Sequence, residues 1–292
     1  MRSLVPLTFV LLSVAMPAQE RLFRPGDEGV RREVAAELEQ ALRQHEDLAT
    51  TTALAAAIGS RLPDGSHARA WLRSAVSDAL AGDGEAVRER LRSELYELVA
   101  TLAFEPRVEA PNPQGFPAFG RAVGEIELVH YPAYRMVATG MRGGSNRAFW
   151  PLFRHIEENG IAMTTPVQMD YADGEAVERP VRMAFLYGDP NIEPEHVDRG
   201  VEVVAIEAHD VLRIGAVGAE SKARIEAMRQ RLLDWLAEPA NGHEAAGPMR
   251  LMGYNSPSVS RDRRYFEVQI PVRSVAEQKV AGQKGEAPKQ AD

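Results

Sequence analysis

The chain contains no cysteine. That absence excludes disulfides, thiolate catalysis, cysteine-ligated metals and a lipid-modified cysteine anchor. Stability therefore has to come from core packing. Positive charge is not in excess either: 34 Lys and Arg stand against 42 Asp and Glu, for a net charge of −8 and a pI near 5.5. The two signs are interspersed, so no basic face is available to neutralise a phosphate backbone, and nucleic acid is not an expected partner. Catalytic signatures are missing too: there is no Gly-x-Ser-x-Gly elbow, no phosphate-cradling glycine loop and no His-Glu-x-x-His. A spatial pair of carboxylates, by contrast, leaves no mark in one sequence.

Met1 to Ala18 combine one basic residue, a short apolar core and small residues at Ala15 and Ala18. The run is shorter than the ~20 residues a membrane span requires and reads as an export signal cut after one of those alanines. The expected location is periplasmic or extracellular, with no stable membrane span after cleavage.

What remains is long enough, at 45% apolar content, to bury one large core or two modest ones. Residues 19–104 carry helical spacing: Val30, Val34, Leu38 and Leu42, then Trp71, Leu72, Val76 and Leu80, then Val87, Leu91, Leu95, Leu98 and Leu102. Breaks at Pro63-Asp-Gly65 and Gly82-Asp-Gly84 predict three or four helices in a small bundle, with Thr50 to Ile58 helical as well. His45 and His67 have no metal-ligand partner at i+3 or i+4 and read as surface side chains. The bundle's acidic surface, without a long apolar face, suggests packing or self-association rather than membrane binding. Residues 105–117 hold Pro106, Pro111, Pro113, Gly115 and Pro117, a composition hostile to helix and central strand, and are expected to be the linker between domains.

Residues 118–273 change to short strands with two helices. Strands are expected over Glu125–His130, Tyr134–Met141, Val181–Tyr187, Val201–Glu207, Val211–Val217, Met249–Tyr254 and Arg264–Val272. One helix carries Phe149, Leu152, Phe153 and Ile156, with Pro151 awkward within it; the other, capped by Ser221, carries Ile225, Met228, Leu232, Trp235 and Leu236. Arg135-Met-Val-Ala-Thr-Gly140 matches Arg213-Ile-Gly-Ala-Val-Gly218, which suggests one β-β-α-β-β unit used twice. Such a repeat closes most simply as a distorted antiparallel β-barrel with two flanking helices, an α+β domain behind an all-α segment. Ile161 to Tyr171 reads as a strand interrupted by Pro166, hence at an edge, bulge or rim, with Met163, Val167, Met169 and Tyr171 on its apolar side. Residues 274–292 lack periodicity and are expected to be a disordered tail.

Tyr131-Pro132-Ala133, Ala148-Phe149, Leu152-Phe153-Arg154-His155-Ile156, Ile161-Ala-Met-Thr-Thr-Pro-Val167, Met183-Ala-Phe185, Tyr254-Asn-Ser-Pro257 and Arg264-Tyr-Phe-Glu-Val268 resemble, in order and spacing, the SOUL haem-binding family over about residues 118–273. The resemblance implies a distorted β-barrel that binds haem or another tetrapyrrole, and kinship with gyrase-inhibitor-like domains that bind small apolar ligands between two repeats. Two loops depart from the family pattern: Glu157-Glu-Asn-Gly160 stands where a Gly-Asn-Asn-like turn is usual, and Tyr265-Phe266 separate Arg264 from Glu267.

The resemblance also implies a haem-iron axial ligand directly before the tyrosine of the first strand, where this chain has His130. Independently, His130 shares strand parity with Ile126 and Leu128, and neutral imidazole is a common haem ligand; a neutral histidine bonded to backbone is the other reading of that position. Met163, Val167 and Met169 are candidate lining, since thioethers adapt to large flat ligands, although methionine stripes are also ordinary core. Arg135, Arg154, Arg213 and Arg264 are candidate donors to propionates. Glu267, at the family's carboxylate position, has two readings: a buried acceptor in the cleft, or, since it shares parity with none of Phe266, Val268, Ile270 and Val272, a side chain that faces away from their core. His155 is expected to face solvent; His196, His209 and His243 show no metal-site spacing. The function expected is non-catalytic binding of haem or a related tetrapyrrole in a barrel-surface cleft, for carriage, buffering or sensing. The alternatives are a module for another apolar ligand and a hydrolase of small hydrophobic substrates.

Overall fold

Apolar residues at three-and-four spacing, once coiled at 3.6 residues per turn, must bury one stripe against a neighbour. In the computed structural model, which describes residues 19–172, 174 and 179–276, the N-terminal stripes do so in four helices: α1 (Asp27–Gln44), α2 (Leu48–Gly59), α3 (His67–Leu80) and α4 (Gly84–Leu102). Their stripes meet in one core containing Leu38, Leu42, Leu72, Leu95 and Leu98. Asp47 caps α2 by accepting from the Thr50 N–H at 2.7 Å, and Ser66 caps α3 through the Arg69 N–H. Gly59 permits the α2–α3 approach, because a Cβ there would lie 1.7 Å from Leu72 Cδ2.

The second part contains β1 (Ile126–Tyr131), β2 (Tyr134–Gly140), α5 (Ser145–Glu158), β3 (Val167–Asp170), β4 (Arg182–Leu186), β5 (Glu202–Ile206), β6 (His209–Val217), α6 (Lys222–Ala237), β7 (His243–Ala245), β8 (Arg250–Gly253) and β9 (Tyr265–Ser274). All strand pairs are antiparallel, in the order β1-β6-β9-β8-β3-β4-β2-β5, with β7 on β9. Among the described residues β1 and β5 do not pair, so the expected barrel is a curled antiparallel half-barrel with two edges. α5 packs on β2 and β4, and α6 on β6, β7 and β9.

Alternation gives this sheet two unlike faces. The helix-covered face carries Val137, Met183 and Phe185 under α5, and Leu212, Ile214, Phe266, Val268 and Ile270 under α6. The other face carries Tyr131, Tyr134, Gln168, Arg213, Arg250, Tyr254, Tyr265, Glu267 and Gln269, all buried. The lid over this second face is residues 104–120. They contain no helix or strand, as their prolines require, yet they are not a slack tether. Phe116 meets Tyr131 and Tyr134 edge-on, Phe119 stacks on Tyr254 with ring centroids 4.1 Å apart, and Phe104 stacks on Tyr265. The Thr165 N–H bonds to Pro111 O, the Gln114 N–H to Gly188 O, and Arg213 Nη2 to Ala118 O.

Three expectations need revision here. The Ile161–Tyr171 stretch is strand only from Val167, after Pro166 rather than across it, and that strand is central, paired with both β4 and β8. Thr164 and Thr165 before it donate through their hydroxyls to Leu186 O and Ala110 O, so irregular backbone replaces the ladder there. α5 runs unbroken from Ser145 to Glu158 through Pro151, the residue that read as awkward within it. β9 continues to Ser274, paired with His243, so the last strand reaches into the segment expected to be tail. The export signal over 1–18 and residues 277–292 of the tail lie outside the described residues. Among the described residues no helix is long and apolar enough to cross a membrane.

A buried acid, Glu125, helps fasten the bundle to the half-barrel. Glu125, 2% exposed, accepts from Arg31 Nη1 at 2.8 Å and from the His67 and Ala68 N–H groups at 2.8 and 3.0 Å, the free donors that open α3. Arg31, 3% exposed, also donates to Val123 O at 2.7 Å.

Candidate functional site on the half-barrel

β9 alternates strictly, and both of its parities are buried: Phe266, Val268 and Ile270 fill the helix-covered layer while Tyr265, Glu267 and Gln269 form the middle of the inner face. On that face a hydrogen-bonded chain crosses six strands. Arg213 Nε donates to Glu127 at 3.0 Å, and its Nη1 lies 3.1 Å from Glu267. Glu267 further accepts from the Tyr254 and Tyr265 hydroxyls at 3.0 and 2.9 Å and from Gln269 Nε2 at 2.7 Å. The Gln269 amide also reaches the Tyr131 hydroxyl, Arg250 bonds to Gln269 and to the Tyr134 hydroxyl, and Tyr134 donates to Gln168, which donates to Asp170.

The electrostatics follow from that packing. Burial by itself would lower the Arg213 pKa, but Glu267 and Glu127 outweigh it and hold the guanidinium well above its ordinary value. Burial raises the Glu127 carboxyl above its usual range in spite of Arg213: two carboxylates share one cation, and Glu127 is the outer one, with Arg121 as its second partner. Burial and then Glu267 push the Tyr254 and Tyr265 hydroxyls well above their ordinary value, so both stay neutral donors. Every polar group of Glu267 is thus committed to the protein itself, and it faces away from the Phe266–Val268 core as its parity required.

The residues expected to bind a cofactor do not converge on one surface. His130 does share the side of Ile126 and Leu128, but Ile126 is buried and Leu128 half-buried, whereas His130, one residue before the end of the strand, is 66% exposed. The apolar surroundings expected for it are therefore confined to its neighbours. Its Nδ1 lies 2.8 Å from Asp210 Oδ1, the residue opposite it on β6, which fixes the ring and leaves Nε2 toward solvent. Met163, Val167 and Met169 sit half-buried beneath α5 with Phe149, Phe153 and Phe185, Met163 in the irregular segment before β3 and the other two on β3, which β8, β9 and β6 separate from β1. Arg135 donates to Ile192 O and pairs with Glu193 at 2.6 Å. Arg213 is fully buried in the inner network. Arg154 is exposed, and Arg264 bonds to Val259 O and Pro257 O.

His155 reverses its expectation. It is fully buried, with Nε2 2.7 Å from the Tyr187 hydroxyl, and burial lowers its pKa. The signal was present, since His155 lies three residues beyond Leu152 and so falls on the apolar stripe. His209 bonds to Glu207 O and stacks on Tyr131. His196 meets Glu158 and Asp198, with ligand atoms within 4.8 Å of one another, a grouping from two segments that no sequence spacing announces.

No curated protein matches the chain. Among solved structures, the EcmrR C-terminal domain is 16% identical with a TM-score of 0.43, covering 52% of this chain and 98% of its own. A hydrolase from Listeria innocua is 12% identical with a TM-score of 0.37, covering 56% and 94%. SAV2435 bound to tetraphenylphosphonium is 12% identical with a TM-score of 0.31, covering 52% and 96%. The profile of the SOUL heme-binding protein family matches residues 117–271, more than half of the chain and all nine strands except the last three residues of β9, and the chain belongs to that family.

Proposed function

We propose that this protein binds haem or a related tetrapyrrole without turning it over, and that His130 is the iron ligand on the half-barrel surface. Family membership supports the ligand class. The observation that carries the residue is the His130–Asp210 pair: metal-ligating histidines commonly give their second ring nitrogen to a carboxylate, which sets the tautomer and makes the free nitrogen a better donor. An exposed imidazole so oriented fits the open axial position that haem iron offers. Of the four candidate propionate donors, Arg213 is enclosed by carboxylates, Arg264 is bonded to loop carbonyls and Arg135 is paired with Glu193, which leaves Arg154 exposed. For Met163, Val167 and Met169 to line the ligand, α5 would have to shift; as placed, they set the shape of the layer beneath it.

The matched hexapeptides support the two-unit reading, since Arg135–Gly140 and Arg213–Gly218 both run along the strand that precedes a flanking helix. Export through the 1–18 signal is part of the same proposal, as is carriage, buffering or sensing in place of catalysis. Titrating hemin into the full chain tests it. A saturable, stoichiometric low-spin Soret shift is expected, with His130→Ala removing the equivalent bound there and Asp210→Asn weakening it by roughly 10–100-fold. A spectrum and stoichiometry unchanged in His130→Ala sink the assignment, and weak nonstoichiometric absorbance in the wild type favours a different apolar ligand.

A further inference from the structure

Between the bundle and the half-barrel lies a groove of about 1260 Å³, larger than the ~300–1,000 Å³ of ordinary small-ligand pockets. α3 and α4 form one wall, and β6 and α6 the other. Its lining is mixed, with an apolar share from Trp71, Phe104, Val123, Ile214, Met228 and Val259. A volume of that size with aromatic walls suits a large flat molecule.

His67 stands in the bundle wall. As the first residue of α3, its backbone N–H is held by Glu125, which anchors the residue without using the ring. The ring packs against Gly124 and lies 6.5 Å from the Trp71 ring, and among the described residues it makes no side-chain hydrogen bond. Burial, and next the nearby Arg231, lower its pKa.

Charge at the rim completes the picture. Arg224 is spent on Val217 O, and Arg231 on Glu20 and Gly124 O. Arg107 and Arg263 are exposed; the carboxylate nearest Arg107 is Glu109, at 3.9 Å, which already accepts from the Ser256 N–H and hydroxyl. The acids on the lining are Glu97, which faces Arg224, Asp262, which neighbours Arg263, and Glu105. Two guanidiniums at the mouth are therefore left to meet ligand carboxylates.

We propose that this groove is a second tetrapyrrole pocket, in which His67 of the helical bundle gives its imidazole nitrogen to iron and Arg107 and Arg263 hold the ligand's carboxylates. The proposal rests on the tetrapyrrole reading but not on His130, and it assigns the N-terminal bundle, which lies outside the family match, a share in binding.

The test uses the full chain with hemin and with iron-free protoporphyrin, in the wild type, His67→Ala, His130→Ala and the double Arg107→Glu/Arg263→Glu, each checked for folding by far-UV circular dichroism. The wild type should bind two equivalents of hemin, and His67→Ala should lose one low-spin equivalent that His130→Ala keeps. Iron-free protoporphyrin should quench wild-type fluorescence more than that of Trp71→Phe, and the double arginine variant should bind both porphyrins about tenfold more weakly, a ~1.4 kcal/mol effect. If His67→Ala matches the wild type in spectrum and stoichiometry while His130→Ala loses all low-spin signal, the groove is wrong and tetrapyrrole binding stands. If His67→Ala alone loses the signal, the groove stands and the His130 assignment falls. If the wild type takes up neither porphyrin saturably, both proposals fall.

Discussion

Glu125→Gln should be among the most damaging single-atom changes available in this chain. The carboxylate faces three donors at 2.8–3.0 Å while both it and Arg31 are about 97% buried. A carboxamide keeps the shape but loses the charge and turns one acceptor into a donor. Arg31 is then left with Val123 O and an uncompensated buried charge, a loss of about 3–5 kcal/mol in comparable pairs. Weaker capping of α3 adds about 1 kcal/mol. For a chain of this size each kcal/mol lowers Tm by roughly 2–4 °C, so a drop of roughly 8–24 °C is expected. Urea unfolding followed by circular dichroism and tryptophan fluorescence measures it. The two probes, coincident in the wild type, should separate as the bundle melts apart from the half-barrel. Arg31→Met with Glu125→Gln should cost about 2 kcal/mol less than the two singles added, because no orphaned charge remains. A Glu125→Gln loss below about 1 kcal/mol, or additive singles, refutes this account of the fastening.

Other consequences are equally checkable. Gly215→Ala would place a Cβ 2.2 Å from the Tyr265 hydroxyl, which Glu267 holds in a buried site, so a loss of about 1–3 kcal/mol is expected in urea melts; wild-type stability would show the inner face to be yielding. Phe119→Ala removes the ring stacked on Tyr254 and should cost about 2–4 kcal/mol and speed proteolysis of residues 104–120. On acidification, burial holds the pKa values of His67, His155 and His209 down in the folded state, so the unfolded chain protonates first. Stability from these groups is complete above about pH 6.5 and declines below it, by at most about 1.4 kcal/mol per pH unit for each histidine. Burial raises the Glu127 and Glu220 carboxyls, which opposes that slope at lower pH, because the folded state then binds the protons. Comparing Tm at pH 7.5 and 5.5, His155→Gln should lose less than the wild type; an equal loss would show that His155 does not set the slope.

The four bundle helices and most strands were legible because each buries one periodic stripe, and Leu38 or Val268 can satisfy that period in only one way. The inner face was not. Tyr265, Glu267 and Gln269 alternate with Phe266, Val268 and Ile270, which in sequence is the pattern of a strand with one wet face; that the polar parity is also buried depends on partners 13 to 138 residues away. Residues 105–117 read as a linker because proline removes ladders whether or not the segment packs, and only Phe116 among those prolines, with Phe104 and Phe119 flanking them, hinted otherwise. At the candidate site, the resemblance singled out His130, but Asp210 becomes its partner through cross-strand register. Glu125 reads as the polar first residue of an expected strand until α3 is brought to it.

The strap over the inner face can be restated as a matter of concentration. Phe116 and Phe119 belong to the same chain as the rings they cover, and the fold holds them against those rings, so their effective concentration there is of about millimolar order. An outside molecule aiming for the same tyrosines competes with that tether, and its apparent Kd is its intrinsic Kd divided by the fraction of time the strap is away. Shortening, cutting or ligand-loading the strap would thus change the half-barrel's affinity for outside molecules without altering a single residue that touches them.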